Sequence, residues 1–496
     1  MVLHQQMHLI LVTPTMMTGN FYHAMKGINY TCQGESHKAT NKVCQDYSSI
    51  FIGDYCSIAI VCDGHGGERY FRSDIGAKMA ADVTTECVKE FLAECSKDLF
   101  LGIPFTQKES LETEINVGLM QKASKQDNAF RQLFSSIIYR WRECILEHAR
   151  THPLSDLEKE SLKQEYLDAF NRQESLEKNY GCTLMCYVCS NLFWMAFHIG
   201  DGKCISFDKD GNYNEPIPWD ERCFLNKTTS LCDENSLDEF RYCFCGDGTY
   251  PVAVFLGSDG IDDSFGETNN LINFYAQIVK LLAKSSLVEA QAELESTLPK
   301  LSKLGSQDDM SVACVYDETS IQSISVAVTR MQQKFIEEKI KNLDDIIDSN
   351  KKKLEQENIG QIDLEYAEKT IEKSIQSKQK LMEKWTNLEK EINPTSLITY
   401  DNNMKYIGSF SESEIPYSPD EYGQLLCYSN NEREIKIYYD TNKAFFVKAI
   451  AVLTKNTCNS SIYDVYEYQY YATTDEEVKK HIKKIIETAL KNETKK

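Results

Sequence analysis

Apolar and polar positions along the chain fall into three regimes. From about residue 20 to residue 317, short unbroken apolar runs alternate with longer stretches that carry apolar residues at helical spacing. Residues 57–62 (SIAIVC) form a compact apolar run that ends at an aspartate, which predicts a strand buried on both faces. Residues 182–188 and 192–199 predict a hairpin with Ser190-Asn191 at its turn. Residues 252–257 and 312–316 predict two further buried strands. Between Asp63 and Gly181 the pattern is mainly helical. Phe134, Ile137, Ile138, Trp141 and Ile145 recur on one face of a helix over 130–149, and residues 269–282 predict another amphipathic helix.

After Asp317 the pattern changes. Residues 320–393 hold almost no Gly or Pro and are rich in Lys, Glu and Gln. Ile336, Ile340, Leu343 and Ile347 step by four, three and four. Leu364, Ala367, Ile371 and Ile375 form a second stripe, continued by Leu381, Trp385, Leu388 and Ile392. Gly360 separates the stripes and Pro394 ends the second. The spacing predicts a hairpin of two antiparallel helices, each about 45–50 Å long at 1.5 Å per residue. Such stripes are packing seams first, and apolar residues left over from the seam, such as Phe335 or Trp385, would favour a partner or a second chain. Residues 435–439, 444–453 and 462–471 are β-branched and aromatic runs, and Thr474 with Glu477 forms a capping box for a basic helix through Leu490. The expected organisation is a tail over 1–19, a catalytic domain over 20–317, a helical hairpin over 318–393 and a small α+β module over 394–496.

A chain of 496 residues is too long for one core, and 42% apolar residues with 27 Tyr and 22 Phe describe folded domains. A net charge of −21 argues against nonspecific nucleic-acid binding, which recruits an excess of Lys and Arg. It does not exclude an anionic substrate, because bound cations reverse the local sign. The 18 Cys are scattered through apolar runs and read as reduced core residues of a cytoplasmic protein; Cys186-x-x-Cys189 lacks a second pair to complete a zinc site. The N-terminal apolar run at 9–12 precedes Pro14 closely and is too short for a signal or membrane segment, and Met17 offers an alternative start. No later stretch is long and apolar enough to span a bilayer.

The chemistry concentrates in acidic landmarks at predicted strand ends. They are Gln45-Asp46; Asp63-Gly64-His65-Gly66-Gly67; Gly200-Asp201-Gly202; Ser258-Asp259-Gly260-Ile261-Asp262-Asp263; and Gly305-Ser306-Gln307-Asp308-Asp309. One Asp-Gly alone is a turn. Five at the ends of buried strands are unfavourable unless something compensates their charge, and hard cations with oxygen ligands do so.

In set and order these motifs resemble the PPM, or type 2C, metal-dependent protein serine/threonine phosphatases, over about residues 25–317. Asp63–Gly67 is the most specific element, and Gly34–Asp46 resembles the family's bacterial branch. The resemblance implies an α+β fold, a β-sandwich flanked by helices, with two Mn²⁺ or Mg²⁺ ions at one end. It places Asp63 between both ions, the Gly64 carbonyl on the second, Asp259 and Asp308 on the first, and Asp46 beside their water. Asp201 and Asp263 match a weaker third position shared with Asp259. His65 is then the general acid for the leaving seryl or threonyl oxygen. The implied partners are a phosphoprotein substrate and a cognate kinase; self-association through 318–393 is an expectation from the helical hairpin and not from the resemblance.

The chain departs from the family pattern in three places. Gln45 stands where many members have Glu. The usual phosphate-gripping Arg is missing, leaving His37 and Lys38 as candidates, and Lys is a point charge without a bidentate fork. Asp309 replaces a common Asn and adds negative charge. The alternative reading is a phosphatase-like domain that binds a phosphoprotein or regulator without turnover.

Overall fold

The computed structural model describes residues 25–111, 123–224, 227–355, 360–392, 405–418, 426–429, 434–440, 446–457 and 460–471. The expected tail over 1–19, Pro394, and the Thr474/Glu477 capping box with its helix lie outside the described residues. The chain divides into two compact units between Ile324 and Ser325.

The first unit is built on eleven strands: β1 (Met25–Cys32), β2 (Tyr47–Ile52), β3 (Cys56–Cys62), β4 (Thr106–Lys108), β5 (Leu184–Ser190), β6 (Trp194–Ile199), β7 (Lys203–Phe207), β8 (Tyr213–Asn214), β9 (Arg241–Cys245), β10 (Ala253–Gly257) and β11 (Met310–Asp317). They form two antiparallel sheets, ordered β1-β11-β10-β7-β8 and β2-β3-β5-β6-β9-β4. The predicted hairpin is β5–β6, with Cys186 opposite Phe197 and Tyr187 opposite Ala196.

Alternation along each strand explains the unbroken apolar runs. Ala59, Val61, Met185, Tyr187, Ala196, Val254, Leu256, Ala313 and Val315 meet in a core that draws on both sheets. The alternate residues of β3, β5 and β6, among them Ile58, Ile60, Leu184, Cys186 and Phe197, face a helical layer. Both faces are covered, so nearly every position is apolar, and the polar Ser57 and His198 are themselves buried. Cys186 and Cys189 therefore belong to opposite layers and cannot share a metal, and the described cysteines are free thiols.

The helical layer contains Ser73–Glu94 and Lys125–Thr151. The second helix buries Phe130, Phe134, Ile137, Trp141 and Ile145, as its periodicity predicts. Trp141 Nε1 donates to the Gly76 carbonyl at 3.0 Å, joining the two helices. Gly76 is required there, because a Cβ would lie 1.9 Å from the Tyr180 carbonyl oxygen. On the other sheet, Phe255 stacks on Tyr275 of the helix Thr268–Lys284. The result is a sandwich with helices on both outer faces.

In the second unit the helices Ile321–Leu354, which begins in the first unit, and Gln361–Ile392 run antiparallel. Arg330 pairs with Glu389, Trp385 Nε1 donates to Glu337 at 2.9 Å, and Lys378 pairs with Asp344, so partners advance in opposite directions. The seam departs from prediction at one point. Ile375 is 42% exposed whereas Ser374 and Ala367 are buried. Steps of four and three through 367, 371, 374, 378, 381, 385 and 388 keep a 3.5-residue period, and Ile375 falls off that line. Phe335, expected as a surplus apolar residue, is buried. The predicted strands at the C-terminal end are β14 (Glu434–Asp440), β15 (Phe446–Thr457) and β16 (Ser460–Tyr471). β12 (Lys405–Ser411) and β13 (Leu426–Ser429) complete a five-stranded antiparallel sheet, ordered β12-β16-β15-β14-β13. Among the described residues no helix is long and apolar enough to cross a membrane.

Candidate active site

Each acidic landmark leaves or enters a strand at the same end of the sandwich. Asp63 follows β3, and its backbone is held on both sides: Thr183 N donates to the Asp63 carbonyl at 2.8 Å, and Asp63 N donates to Thr183 Oγ1 at 3.0 Å. His65 N then donates to the Gly181 carbonyl at 3.0 Å. The glycine after Asp63 is steric necessity, since a Cβ on Gly64 would sit 2.5 Å from the Gln45 carbonyl oxygen. Asp201 follows β6 through Gly200, whose φ of +135° suits glycine. Asp259 follows β10, and Asp308 precedes β11. Those two loops touch, because a Cβ on Gly260 would lie 2.1 Å from the Asp309 carbonyl oxygen.

The structure gathers these carboxyls around Asp259. Burial pushes the Asp63 carboxyl well up, helped by the charges of Asp259, Asp46 and Asp201. Burial likewise pushes Asp46 well up; the Ser258 hydroxyl opposes this, and Asp309 and Asp259 add to it. Asp201 rises to about 6 through burial and the charge of Asp259. Asp308 and Asp263 also rise, through burial first and Asp259 next among the charges. Asp262, in the same motif but with no metal role in the family pattern, rises to about 7 through burial, with Lys203 opposing. One carboxylate oxygen of Asp46 and one of Asp262 are buried without a hydrogen-bond partner. Buried anionic oxygens that repel one another and lack donors fit hard divalent cations.

The residues singled out as departures have different occupations. Gln45 does not point its amide at water: Nε2 donates to the His65 carbonyl at 2.9 Å and to Ser73 Oγ at 2.6 Å, clamping the loop after β3. Asp309 accepts from Gly34 N at 2.7 Å and Gln45 N at 2.6 Å. Each of its two oxygens therefore takes a backbone N–H. His37 lies 2.9 Å from Asp309 and 3.9 Å from Asp308, and the three could share an ion. Lys38 is exposed and pairs with Glu35 at 2.8 Å.

His65 is half-buried, edge-on to Tyr70, with Nε2 2.6 Å from Ser230 Oγ. Burial pushes its imidazole down to about 4, against the charge of Asp233. Asp233 in turn accepts from Ser230 N at 2.9 Å and pairs with Lys178 at 2.9 Å. Ser230, Asp233 and Lys178 stand outside every motif, and nothing in their local sequence marks them.

The family model described as Protein phosphatase 2C matches residues 33–299, more than half of the chain. No curated protein matches the sequence. Among solved structures, the serine/threonine phosphatase Stp1 from Staphylococcus aureus is 13% identical with a TM-score of 0.34, over 59% of this chain and 94% of that one. A C. elegans sex determining protein is 16% identical with a TM-score of 0.38, over 61% of this chain and 67% of that one. PppA of Pseudomonas aeruginosa, a regulatory component of its T6SS, is 13% identical with a TM-score of 0.35, over 59% and 97%. The chain belongs to the protein phosphatase 2C family.

Proposed function

We propose that the chain hydrolyses phosphoserine and phosphothreonine in proteins with the help of two divalent cations, Mn²⁺ or Mg²⁺. The observation that carries this reading is the cluster of carboxyls around Asp259, in which Asp46 is buried with one oxygen left unpartnered beside Asp63. Asp63, Asp259, Asp308 and the Gly64 carbonyl would hold the two ions, and Asp201 with Asp263 a third. Bound there, such ions bring the pKa of a water near 7 and neutralise phosphate charge.

The remaining steps belong to the chain. Asp46, buried and anionic once its neighbours are neutralised, orients the attacking water and accepts its hydrogen bond. The new bond joins the water oxygen to phosphorus as the bond from phosphorus to the seryl oxygen breaks. The seryl oxygen takes a proton from His65, and the water's proton leaves to solvent, so that phosphoester and water give alcohol and phosphate. Burial keeps His65 neutral at pH 7 in the free protein. The arriving phosphate dianion favours its protonation. A phosphoprotein is the substrate and a cognate kinase its source. The catalytic unit is the expected 20–317 together with the start of the following helix through Ile324, and the rest of the hairpin through 393 with the module over 394–496 serves recruitment or self-association.

The experiment is release of phosphate from a phosphoserine peptide in Mn²⁺, in EDTA, and by Asp63→Asn in Mn²⁺. The expected result is turnover that EDTA abolishes and that Asp63→Asn lowers by orders of magnitude. Undiminished turnover in EDTA after exhaustive dialysis overturns the cation-dependent reading, and binding of the peptide without any turnover favours the non-catalytic alternative.

A further inference from the structure

The segment that holds Ser230 carries none of the motifs, yet its hydroxyl is 2% exposed and is the partner of the proposed acid. A serine hydroxyl has one hydrogen to give and two lone pairs. Around Ser230 Oγ stand the Cys182 carbonyl oxygen at 3.0 Å, Cys232 N at 3.3 Å, Cys232 Sγ at 3.2 Å and His65 Nε2 at 2.6 Å. A carbonyl oxygen only accepts and a backbone N–H only donates. With the hydroxyl hydrogen on the Cys182 carbonyl, one lone pair takes Cys232 N–H and the other is free for a hydrogen on His65 Nε2. The reverse assignment, hydroxyl to Nε2, leaves two oxygens 3.0 Å apart with no hydrogen between them.

The segment itself is fixed. Asp233 Oδ2 accepts Ser230 N–H, Asp233 N donates to the Ser230 carbonyl at 3.0 Å, and Lys178 holds Oδ1. The His65 ring is seated against this wall by its Cδ2 edge, since a Cβ on Gly181 would lie 2.9 Å from Cδ2. Cδ2 and Nε2 are adjacent ring atoms, so the edge that faces the wall is the one that meets Ser230.

We propose that Ser230, anchored by Asp233, is a positioning residue that keeps a hydrogen on His65 Nε2 and thereby assigns Nδ1 as the nitrogen that protonates the leaving oxygen. This deepens the proposed phosphatase reaction and rests on it. In the step, Nδ1–H passes its proton to the seryl oxygen as the phosphorus–oxygen bond breaks. The ring is left neutral with its hydrogen on Nε2, still bonded to Ser230.

Two measurements on the full chain test it. In histidine-labelled protein at neutral pH, two-bond ¹⁵N–¹H correlations, assigned to His65 by their loss in His65→Ala, should show the Nε2–H tautomer. The Nδ1–H tautomer would overturn the proposal, and this reading needs no turnover. In Mn²⁺, Ser230→Ala should lower kcat on a phosphoserine peptide about ten-fold more than on p-nitrophenyl phosphate, whose phenolate departs without a proton. Ser230→Thr should restore the ratio, and Ser230→Ala should add no further loss to His65→Ala. Equal losses on the two esters, or additive losses in the double variant, overturn it. Absence of turnover in the unaltered chain would instead sink the phosphatase reading, and the tautomer measurement would still decide where the hydrogen sits.

Discussion

Asp201→Asn should stabilise the cation-free protein, and the effect should depend on pH. In the folded chain the Asp201 carboxyl rises from 3.8 to about 6 through burial and the charge of Asp259. A raised folded pKa means the folded state binds the proton more tightly than the unfolded state. The resulting stability is present below about pH 3.8 and is lost as pH rises through about 6. At pH 7.5 the charged group weighs against folding by about 3 kcal/mol, an upper limit for what the variant recovers because the amide is itself polar and half-buried. At about 2 °C per kcal/mol for a unit of this size, Tm in EDTA should rise by roughly 5 °C at pH 7.5. About half of the gain should remain at pH 5, and about a fifth at pH 4. Intrinsic fluorescence is a suitable readout, because Trp141, Trp194 and Trp219 lie in the first unit and only Trp385 in the second. In Mn²⁺ the gain should shrink, since the carboxylate then has a counter-charge. A lower Tm in EDTA at pH 7.5, or an equal gain at pH 4, would refute the reasoning that uncompensated carboxylates strain this site.

Three further outcomes are expected. His65→Ala should lower turnover of a phosphoserine peptide by about 10²–10⁴-fold and barely touch p-nitrophenyl phosphate, so equal losses would remove the general-acid role. Gly76→Ala places a methyl 1.9 Å from the Tyr180 carbonyl oxygen and should cost about 1–3 kcal/mol or more in a denaturant titration; an unchanged midpoint would mean the helix can shift without loss. A chain ending at Asp317 lacks Ile321 and Ile324, both buried in the first unit, at about 1.5–3 kcal/mol each; it should melt below a chain ending at residue 330 that keeps both and turns over p-nitrophenyl phosphate. Equal melting would place the end of the catalytic unit at Asp317.

The sequence by itself determined the elements and the chemistry-bearing residues. Residues 57–62 and 252–257 read as doubly buried strands because a strand between two covered faces shows no polar-apolar alternation. Trp141 and its neighbours read as a helix face because 3.6-residue spacing is a local property of the chain. Asp63, Asp201, Asp259 and Asp308 stood out because carboxylates beside glycine at strand ends are unusual in such number. Tertiary structure alone decided what those residues do to one another. Asp63 and Asp259 meet because the ends of strands from two different sheets converge, and no local pattern encodes which sheet a strand joins. Asp309 looked like extra charge at the site until its carboxylate was found on two backbone N–H groups from residues 34 and 45. Ser374 displaced Ile375 from the hairpin seam because the period of a helix pair is 3.5 and not 3.6. Ser230 reaches His65 across 165 positions of sequence. A hydrogen bond of that separation leaves no periodicity and no motif behind, and only the folded chain brings its two ends within 2.6 Å.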